Sequence, residues 1–313
     1  MTESTRRSFL HTAGLAGAAA LMGLPARMSW AAAGASAGKL RLVFFTDVHA
    51  LPDLGAPQAM GVAAKAINRR RPELVIAGGD LIFDGFELPT AATDPQWDVY
   101  LSLHRAIRAP VEAVLGNHDL TAVRPNDGSE PSADPRAVFR RKLGLDRTWR
   151  VIDAEGYRIF LLDSVEIGDG DLDYRGRVSR EQLDWVRGEL DRTDTDTPIV
   201  VATHLPLLSA IPQATKGSTF DVPENYMVTN NLELLSLFTG HNLLLVLQGH
   251  LHAEEMLRWR GTTFITGGAI CGDKWRGPKH GTPEGFGSLT LRPGRVEWEY
   301  HALGWKAVDG SQG

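Results

Sequence analysis

Asp47-Val48-His49, Gly79-Asp80, Gly116-Asn117-His118-Asp119, His204 and Gly249-His250-Leu251-His252 each follow an apolar run. Carboxylates, imidazoles and one amide therefore recur wherever a strand is predicted to end. Such donors suit hard or borderline divalent ions, and two ions around a shared bridging carboxylate would activate water for attack on a phosphate ester. In Asp47-Val48-His49 the side chains two apart face the same way, so both can reach one ion where the strand frays. Glycines ahead of Asp80 permit a close approach of backbone to metal. An isolated Gly-Asp would otherwise read as a turn. Asn117 can supply a neutral oxygen ligand while His118 points at substrate, with Asp119 a candidate to orient its other ring nitrogen. His250 and His252 straddle Leu251, so both can face one cleft. A single histidine at a strand end is more often structural than a ligand. Here five of ten histidines fall in these clusters, beside strand-end Asp47, Asp80 and Asn117, which favours a metal site. His11, His104, His241, His280 and His301 have no comparable context and stay outside it.

The elements that must position these residues follow from hydrophobic periodicity. Leu40 to Thr46 is almost wholly apolar, as a buried strand should be, and Pro57 to Arg70 carries Met60, Ala63, Ala64 and Ile67 at helical spacing. Leu74 to Ala77 is the next strand, Trp97 to Ile107 a helix and Val111 to Leu115 a third strand. This β-α-β-α-β succession predicts parallel strands whose carboxyl ends open on a common crevice. Thr121 to Arg136, rich in Pro, Asp, Gly and Ser, reads as a loop beside that crevice. Trp149 to Asp153 and Tyr157 to Asp163 read as a hairpin across Glu155-Gly156. Ser179 is a predicted N-cap for a helix to Leu190, with Gln182 completing a capping box. Ile199 to Thr203 and Leu243 to Leu247 are further strands around a helix from Asn231 to Phe238. Thr262 to Thr266, Gly287 to Leu291 and Arg295 to His301 are expected to complete a second, mostly antiparallel sheet. The expected class is α/β, a four-layer α/β/β/α sandwich of mixed sheets flanked by helices.

Residues 1–31 do not read as part of the fold. Thr5-Arg6-Arg7-Ser8-Phe9-Leu10, a weakly apolar stretch to Leu24, Pro25 and the small-residue site Ser29-Trp30-Ala31 form a twin-arginine secretion signal. The stretch before Pro25 is too short to span a bilayer, which takes roughly 20 apolar residues, so no stable membrane anchor is expected. The expectation is export by the twin-arginine translocase to the periplasm or beyond, with a linker over 32–39 and one catalytic domain over 40–313. A formal net charge of −5 gives no footprint for a nucleic-acid polymer. The basic runs at Arg69-Arg70-Arg71 and Arg140-Arg141-Lys142 read as solvated helix ends. Cys271 is the only cysteine, so no internal disulfide forms, and a small buried hydrophobe is its commonest fate.

In order, these motifs closely resemble the calcineurin-like metallophosphoesterase superfamily, whose pattern is D-x-H, G-D, G-N-H-D/E, a lone H and G-H-x-H. The resemblance runs from Asp47 to His252 and implies a sandwich of two sheets with helices outside. It implies that Asp47, His49 and His252 hold one ion, that Asn117, His204 and His250 hold the second, and that Asp80 bridges them. It places His118 near the leaving-group oxygen as general acid or transition-state stabiliser. The activity implied is hydrolysis of a small-molecule phosphate ester by metal-bound hydroxide, most readily a phosphodiester, with a phosphomonoester the alternative. Two divalent ions are expected, drawn from Mn, Fe and Zn. Phe83 stands where purple acid phosphatases of the superfamily carry an iron-binding tyrosine, so a tyrosinate-coloured centre is not expected. The segment from Gly267 to Phe286 resembles a C-terminal segment of some bacterial members, expected here to lie in 267–305 and complete the second sheet. One reading makes it a pocket rim, with Lys274 and Arg276 on phosphate and Trp275 stacking a ring; the other makes it a glycine-rich turn with Trp275 covering the core. Two rivals lie outside this chemistry. A non-catalytic scaffold of the same fold would be expected to have lost ligands, and all are present. A serine hydrolase would need its G-x-S-x-G at a strand-to-helix turn, whereas Gly34-Ala35-Ser36-Ala37-Gly38 precedes the first strand.

Overall fold

Alternation along the first strand decides the layering. In β1 (Leu40–Phe45), Leu40, Leu42 and Phe44 share a core cluster with residues of a second sheet, while Val43 and Phe45 join a cluster with helices. One strand thus serves two cores, as expected of a sheet covered on both faces. The computed structural model describes residues 37–168 and 172–308. The secretion signal expected over 1–31 lies outside the described residues.

In chain order, β1 is followed by α1 (Ala56–Arg69), β2 (Leu74–Ala77), α2 (Asp94–Ala106) and β3 (Val111–Ala113). Then come α3 (Ala137–Leu143), β4 (Arg150–Ala154), β5 (Tyr157–Leu161) and a small hairpin of β6 (Val165–Ile167) and β7 (Tyr174–Gly176). Next are α4 (Arg180–Leu190), β8 (Ile199–Ala202), α5 (Ile211–Lys216), α6 (Asn231–Leu237) and β9 (Leu243–Gln248). The last strands are β10 (Glu255–Trp259), β11 (Thr262–Thr266), β12 (Gly285–Arg292) and β13 (Arg295–Ala302). One sheet has the order β13-β12-β1-β2-β3, the other β10-β11-β9-β8-β5-β4.

Between the sheets lie Leu42, Phe44, Ile76, Ile159, Leu161, Val200, Leu245, Leu247 and Leu289. Outside the first sheet, α1 contributes Met60, Ala63 and Ile67 and α2 contributes Trp97, Tyr100 and Leu103; outside the second, α4 and α6 contribute Leu183, Val186 and Leu234. The architecture is the expected α/β/β/α sandwich. Among the described residues no helix is long and apolar enough to cross a membrane.

Two expectations about the sheets are corrected. Segments 287–291 and 295–301 do not complete the second sheet: β12 pairs antiparallel with β1, and β13 with β12, so they extend the first. Nor is the second sheet mostly antiparallel, because β5, β8, β9 and β11 run parallel, with only β4 and β10 antiparallel at its edges. Crossovers through α4 and α6 require parallel neighbours, and alternation within a strand carries no information on which sheet it joins. Helix α3 and the β6-β7 hairpin, with few residues each, had no periodic signal of their own.

The N-cap of α4 is half of the expected box. Ser179 Oγ accepts from Gln182 N at 3.2 Å, but the Gln182 side chain turns to Asp163, accepting from its N at 2.9 Å and donating to its O at 2.7 Å. Gln182 is therefore a buried tie between α4 and the segment that follows β5. Removing it leaves two buried backbone groups unpaired, at about 1–3 kcal/mol each. Losing the cap alone costs about 1 kcal/mol. Urea denaturation should rank Gln182→Ala as more destabilising than Ser179→Ala; the reverse order would contradict this tie.

Candidate metal centre

Every candidate ligand follows the carboxyl end of a parallel strand. Asp47 and His49 follow β1, Asp80 follows β2, and Asn117 lies in a single 3-10 turn (Asn117–Asp119) after β3. His204 follows β8, and His250 and His252 follow β9, so both sheets open onto the same edge. Beyond the strands the main chains stay bonded to each other: Asp47 N donates to Gly79 O at 3.0 Å, His49 N to Asp80 O at 2.9 Å and Gly249 N to His204 O at 2.8 Å. To turn their side chains inward, Asp47, His49, Asp80, His250 and His252 all adopt positive φ. Non-glycine residues rarely do so, and such strain clusters at functional sites. Gly79, at φ +94°, makes the turn possible: a Cβ there would lie 2.7 Å from His204 Nδ1.

The ligand atoms fall into two groups joined by one carboxylate. In the first, His49 Nε2 is 3.1 Å from His252 Nε2, which is 3.3 Å from Asp47 Oδ1. In the second, His204 Nε2 is 3.1 Å from Asn117 Oδ1, and His250 packs edge-on to His204 with ring centroids 5.2 Å apart. Asp80 Oδ2 lies between them, 3.6 Å from His49 Nε2 and 3.2 Å from His204 Nε2. Ligands about 2.1 Å from a common ion, as for Zn–N bonds, would lie about 3.0 to 3.4 Å apart in octahedral to tetrahedral arrangements. The spacings of 3.1 to 3.3 Å fall in that range, and the His49–Asp80 approach, at 3.6 Å, is slightly longer. Asp47, Asp80, His49, Asn117 and His204 are all buried.

The outer nitrogens are fixed by acceptors. His204 Nδ1 donates to Gly78 O at 2.8 Å, His252 Nδ1 to Gly272 O at 2.6 Å and His250 Nε2 to Asn225 O at 2.9 Å. A carbonyl can only accept, so each N–H lies there and the opposite nitrogen is left for an ion. His49 Nδ1 has a longer contact, 3.4 Å, with Phe83 O. Asp47 is held from outside too, with His250 N donating to its Oδ2 at 3.0 Å and Thr46 Oγ1 at 2.7 Å.

The charges interlock. Burial disfavours ionised Asp47, yet His252 beside it brings its pKa down to about 2, and His204 likewise holds Asp80 well below the usual carboxylate range. Burial works against a charged His204, but Asp80 raises it to about 9; Asp47 lifts His252 well above an ordinary histidine. Burial and then the His204 charge lower His250 to about 4, and burial and then His118 hold His49 low. Protons on two imidazoles thus do what cations would do, balancing two buried carboxylates.

His118 stands at the rim, half-buried, its ring 4.8 Å from that of His49, and its backbone N donates to Asp80 Oδ1 at 2.9 Å. The expectation that Asp119 orients it is corrected. Asp119 is fully buried and accepts from the backbone N of Leu81 at 2.7 Å, Ile82 at 3.2 Å and Gly116 at 2.8 Å. It stitches the β2 and β3 ends together, and burial with nearby Asp80 pushes its carboxyl up to about 8. The carboxylate facing His118 is Asp84, whose Oδ1 is 3.7 Å from His118 Nδ1, beyond hydrogen-bond length. Burial opposes its ionisation, but His118 lowers its pKa. No spacing rule pointed to Asp84 in the sequence.

Trp275 is not a stacking platform. Its side chain is buried, its Nε1 donates to His49 O at 3.1 Å, and its ring meets Trp305 edge-on at 6.4 Å. Apolar surface with one satisfied N–H is how a tryptophan behaves in a core. Arg276 is exposed and donates to Lys274 O at 3.4 Å. Lys274 Nζ lies 5.2 Å from the centroid of the Phe83 ring, which stands beside His49. Cys271 is buried as expected, but against the cluster: its sulfur and ring nitrogens of His49 and His252 lie within 4.8 Å of one another, and burial keeps the thiol neutral.

Over residues 40–254 the chain matches the family model described as calcineurin-like phosphoesterase. A protein of Rhodococcus erythropolis named a probable cyclic nucleotide phosphodiesterase is 28% identical over 206 residues, covering 64% of this chain and 58% of that protein. Another so named, from Psychrobacter arcticus, is 22% identical over 209 residues, covering 64% of each. The match thus spans about three fifths of the length of these curated relatives. A solved dimetal phosphatase from Danio rerio is similar with a TM-score of 0.61 and 17% identity, over 84% of this chain and 96% of that one. At that identity the likeness speaks for the fold.

Coordination needs unprotonated ring nitrogens, so ions must displace the protons on His204 and His252. Filling the site at pH 7 should release about two protons, and affinity should rise as pH increases towards 9, the His204 value. Calorimetric metal titration in buffers of different ionisation enthalpy measures this. Heats independent of the buffer would contradict the charge arrangement.

Proposed function

The chain belongs to the calcineurin-like phosphoesterase family, hydrolases of phosphoric esters that use divalent metals, and from that premise we propose that it is a dinuclear phosphodiesterase. The observation that carries the dinuclear reading is the position of Asp80 Oδ2 between His49 Nε2 and His204 Nε2. Asp47, His49 and His252 would hold one ion, Asn117, His204 and His250 the other, and Asp80 both. Nitrogen and oxygen donors with no ionised thiol suit Mn, Fe or Zn. Two such ions supply Lewis acidity towards the phosphoryl oxygens and acidify a water for in-line attack.

The chain's own residues do the rest. The backbone carbonyls behind His204, His250 and His252 hold the rings in one tautomer, so the site needs no reorganisation when substrate enters. His118, with Nδ1 towards Asp84, keeps Nε2 for the leaving oxygen, where it would stabilise the developing charge or deliver a proton. Asp84 is the carboxylate that faces that imidazole. Asp119 acts further back, fixing the turn that carries Asn117 and His118.

The diester preference is supported by the two relatives named probable cyclic nucleotide phosphodiesterases. A phosphomonoesterase acting on a nucleotide or sugar phosphate is the alternative within the same site. The twin-arginine pattern at Thr5 to Leu10 supports export of a mature domain over 40–313 to the periplasm or beyond.

Mature protein reconstituted with Mn, Fe or Zn should turn over bis-p-nitrophenyl phosphate faster than p-nitrophenyl phosphate, and cyclic nucleotides complete the panel. Turnover of monoesters alone would overturn the diester preference. His118→Ala should keep its metals and lose about 10²- to 10⁴-fold in kcat, the usual worth of a positioned acid or base. Hydrolysis by that variant at the parental rate would remove His118 from the mechanism.

A further inference from the structure

The turn from Ala269 to Gly277 is built onto the metal cluster from below. Ile270 N donates to Thr46 O at 2.9 Å, Gly272 O receives His252 Nδ1 at 2.6 Å and Trp275 Nε1 reaches His49 O at 3.1 Å. Within it, Trp275 N donates to Cys271 O at 2.7 Å and Asp273 N to Gly277 O at 2.8 Å. Lys274 and Trp275 both sit at positive φ, 50° and 69°, without being glycine. The backbone has been forced into two consecutive left-handed residues, and the buried indole holds it there.

The consequence is the place of Lys274. Its Nζ lies 5.2 Å from the centroid of the Phe83 ring, and Phe83 stands edge-on to His49 with centroids 6.3 Å apart. The side chain is half-buried. Among the described residues no carboxylate pairs with it: Asp273, its neighbour, takes Lys279 at 3.1 Å, and Asp84 faces His118. Of the other acids, Asp47 and Asp80 are already enclosed by imidazoles, and Glu284, beside Gly272, is buried with Oε1 unpartnered. The contact with one aromatic face leaves the ammonium without an anionic partner. The arrangement is complete only when an anion comes to the cleft.

Building on the phosphoesterase reading, we propose that Lys274 is a substrate-binding residue that grips a non-bridging oxygen of the phosphate, with Phe83 holding its side chain beside His49. A lysine acts here as a point charge with rotatable donors, so it can follow the phosphate from the ground state onward and contribute mainly to binding. Trp275 is then the positioning residue that keeps the ammonium over the Phe83 ring.

Lys274→Met and Lys274→Arg test this in metal-reconstituted protein. Lys274→Met should raise KM for bis-p-nitrophenyl phosphate about tenfold and weaken competitive inhibition by inorganic phosphate by a similar factor, with kcat within about threefold and metal content unchanged. Lys274→Arg, which keeps the charge, should recover most of both. Parental KM and inhibition constant in Lys274→Met would overturn the assignment, as would an equal defect in Lys274→Arg with metal lost. If the parent hydrolyses no ester, the phosphoesterase reading fails on its own, and calorimetric binding of inorganic phosphate to the metal-loaded parent and Lys274→Met still decides the role of Lys274.

Discussion

Two buried carboxylates that cannot be left alone organise this molecule. Asp47 and Asp80 are almost without solvent contact, and an ionised carboxylate in such a place is tolerated only when paired and hydrogen-bonded. Here the pairing is collective. Imidazoles approach the inner oxygens, backbone amides and a threonine hydroxyl take the outer ones, and the imidazoles lean on carbonyls behind them. Deleting one member would leave another buried group unpaired, so the network is satisfied as a unit.

The fold exists in a form that can deliver such a unit. Two sheets present their carboxyl ends at one edge, which brings residues as distant as Asp47 and His252 into contact. Rigid strands set the distances, and the turns just past them absorb the cost as positive φ at five of the candidate ligands. At about 1–3 kcal/mol for each residue in a sparsely populated region, that strain rivals the 5–15 kcal/mol by which domains are usually stable. It is retained because both sandwich cores over-determine the strand ends, and because the turn carrying Gly272 and Trp275 is hydrogen-bonded to His252 and His49.

Much of the site was legible because its chemistry is written at strand ends. Asp47, His49, Asp80, Asn117, His204, His250 and His252 each follow an apolar run, and a buried strand is among the clearest sequence signals. What stayed hidden depends on long-range pairing. Asp119 looked like the partner of His118 by adjacency, but its 3-10 turn sends the side chain inward to the backbone of Leu81 and Ile82, and Asp84 comes from another loop. Trp275 gave two readings because a turn tryptophan can face solvent or core, and only the distant carbonyl of His49 decides. The sheet membership of β12 and β13 is not legible in the sequence because hydrophobic alternation is the same on either sheet.

The central claim is that Asp80 joins two metal subsites into one centre. Electron paramagnetic resonance of the protein titrated with Mn(II) addresses it most directly. Two equivalents should bind and give an exchange-coupled pair in the parent, and Asp80→Asn should abolish the coupled signal. A single equivalent, or two uncoupled ions in the parent, would contradict a shared bridging carboxylate.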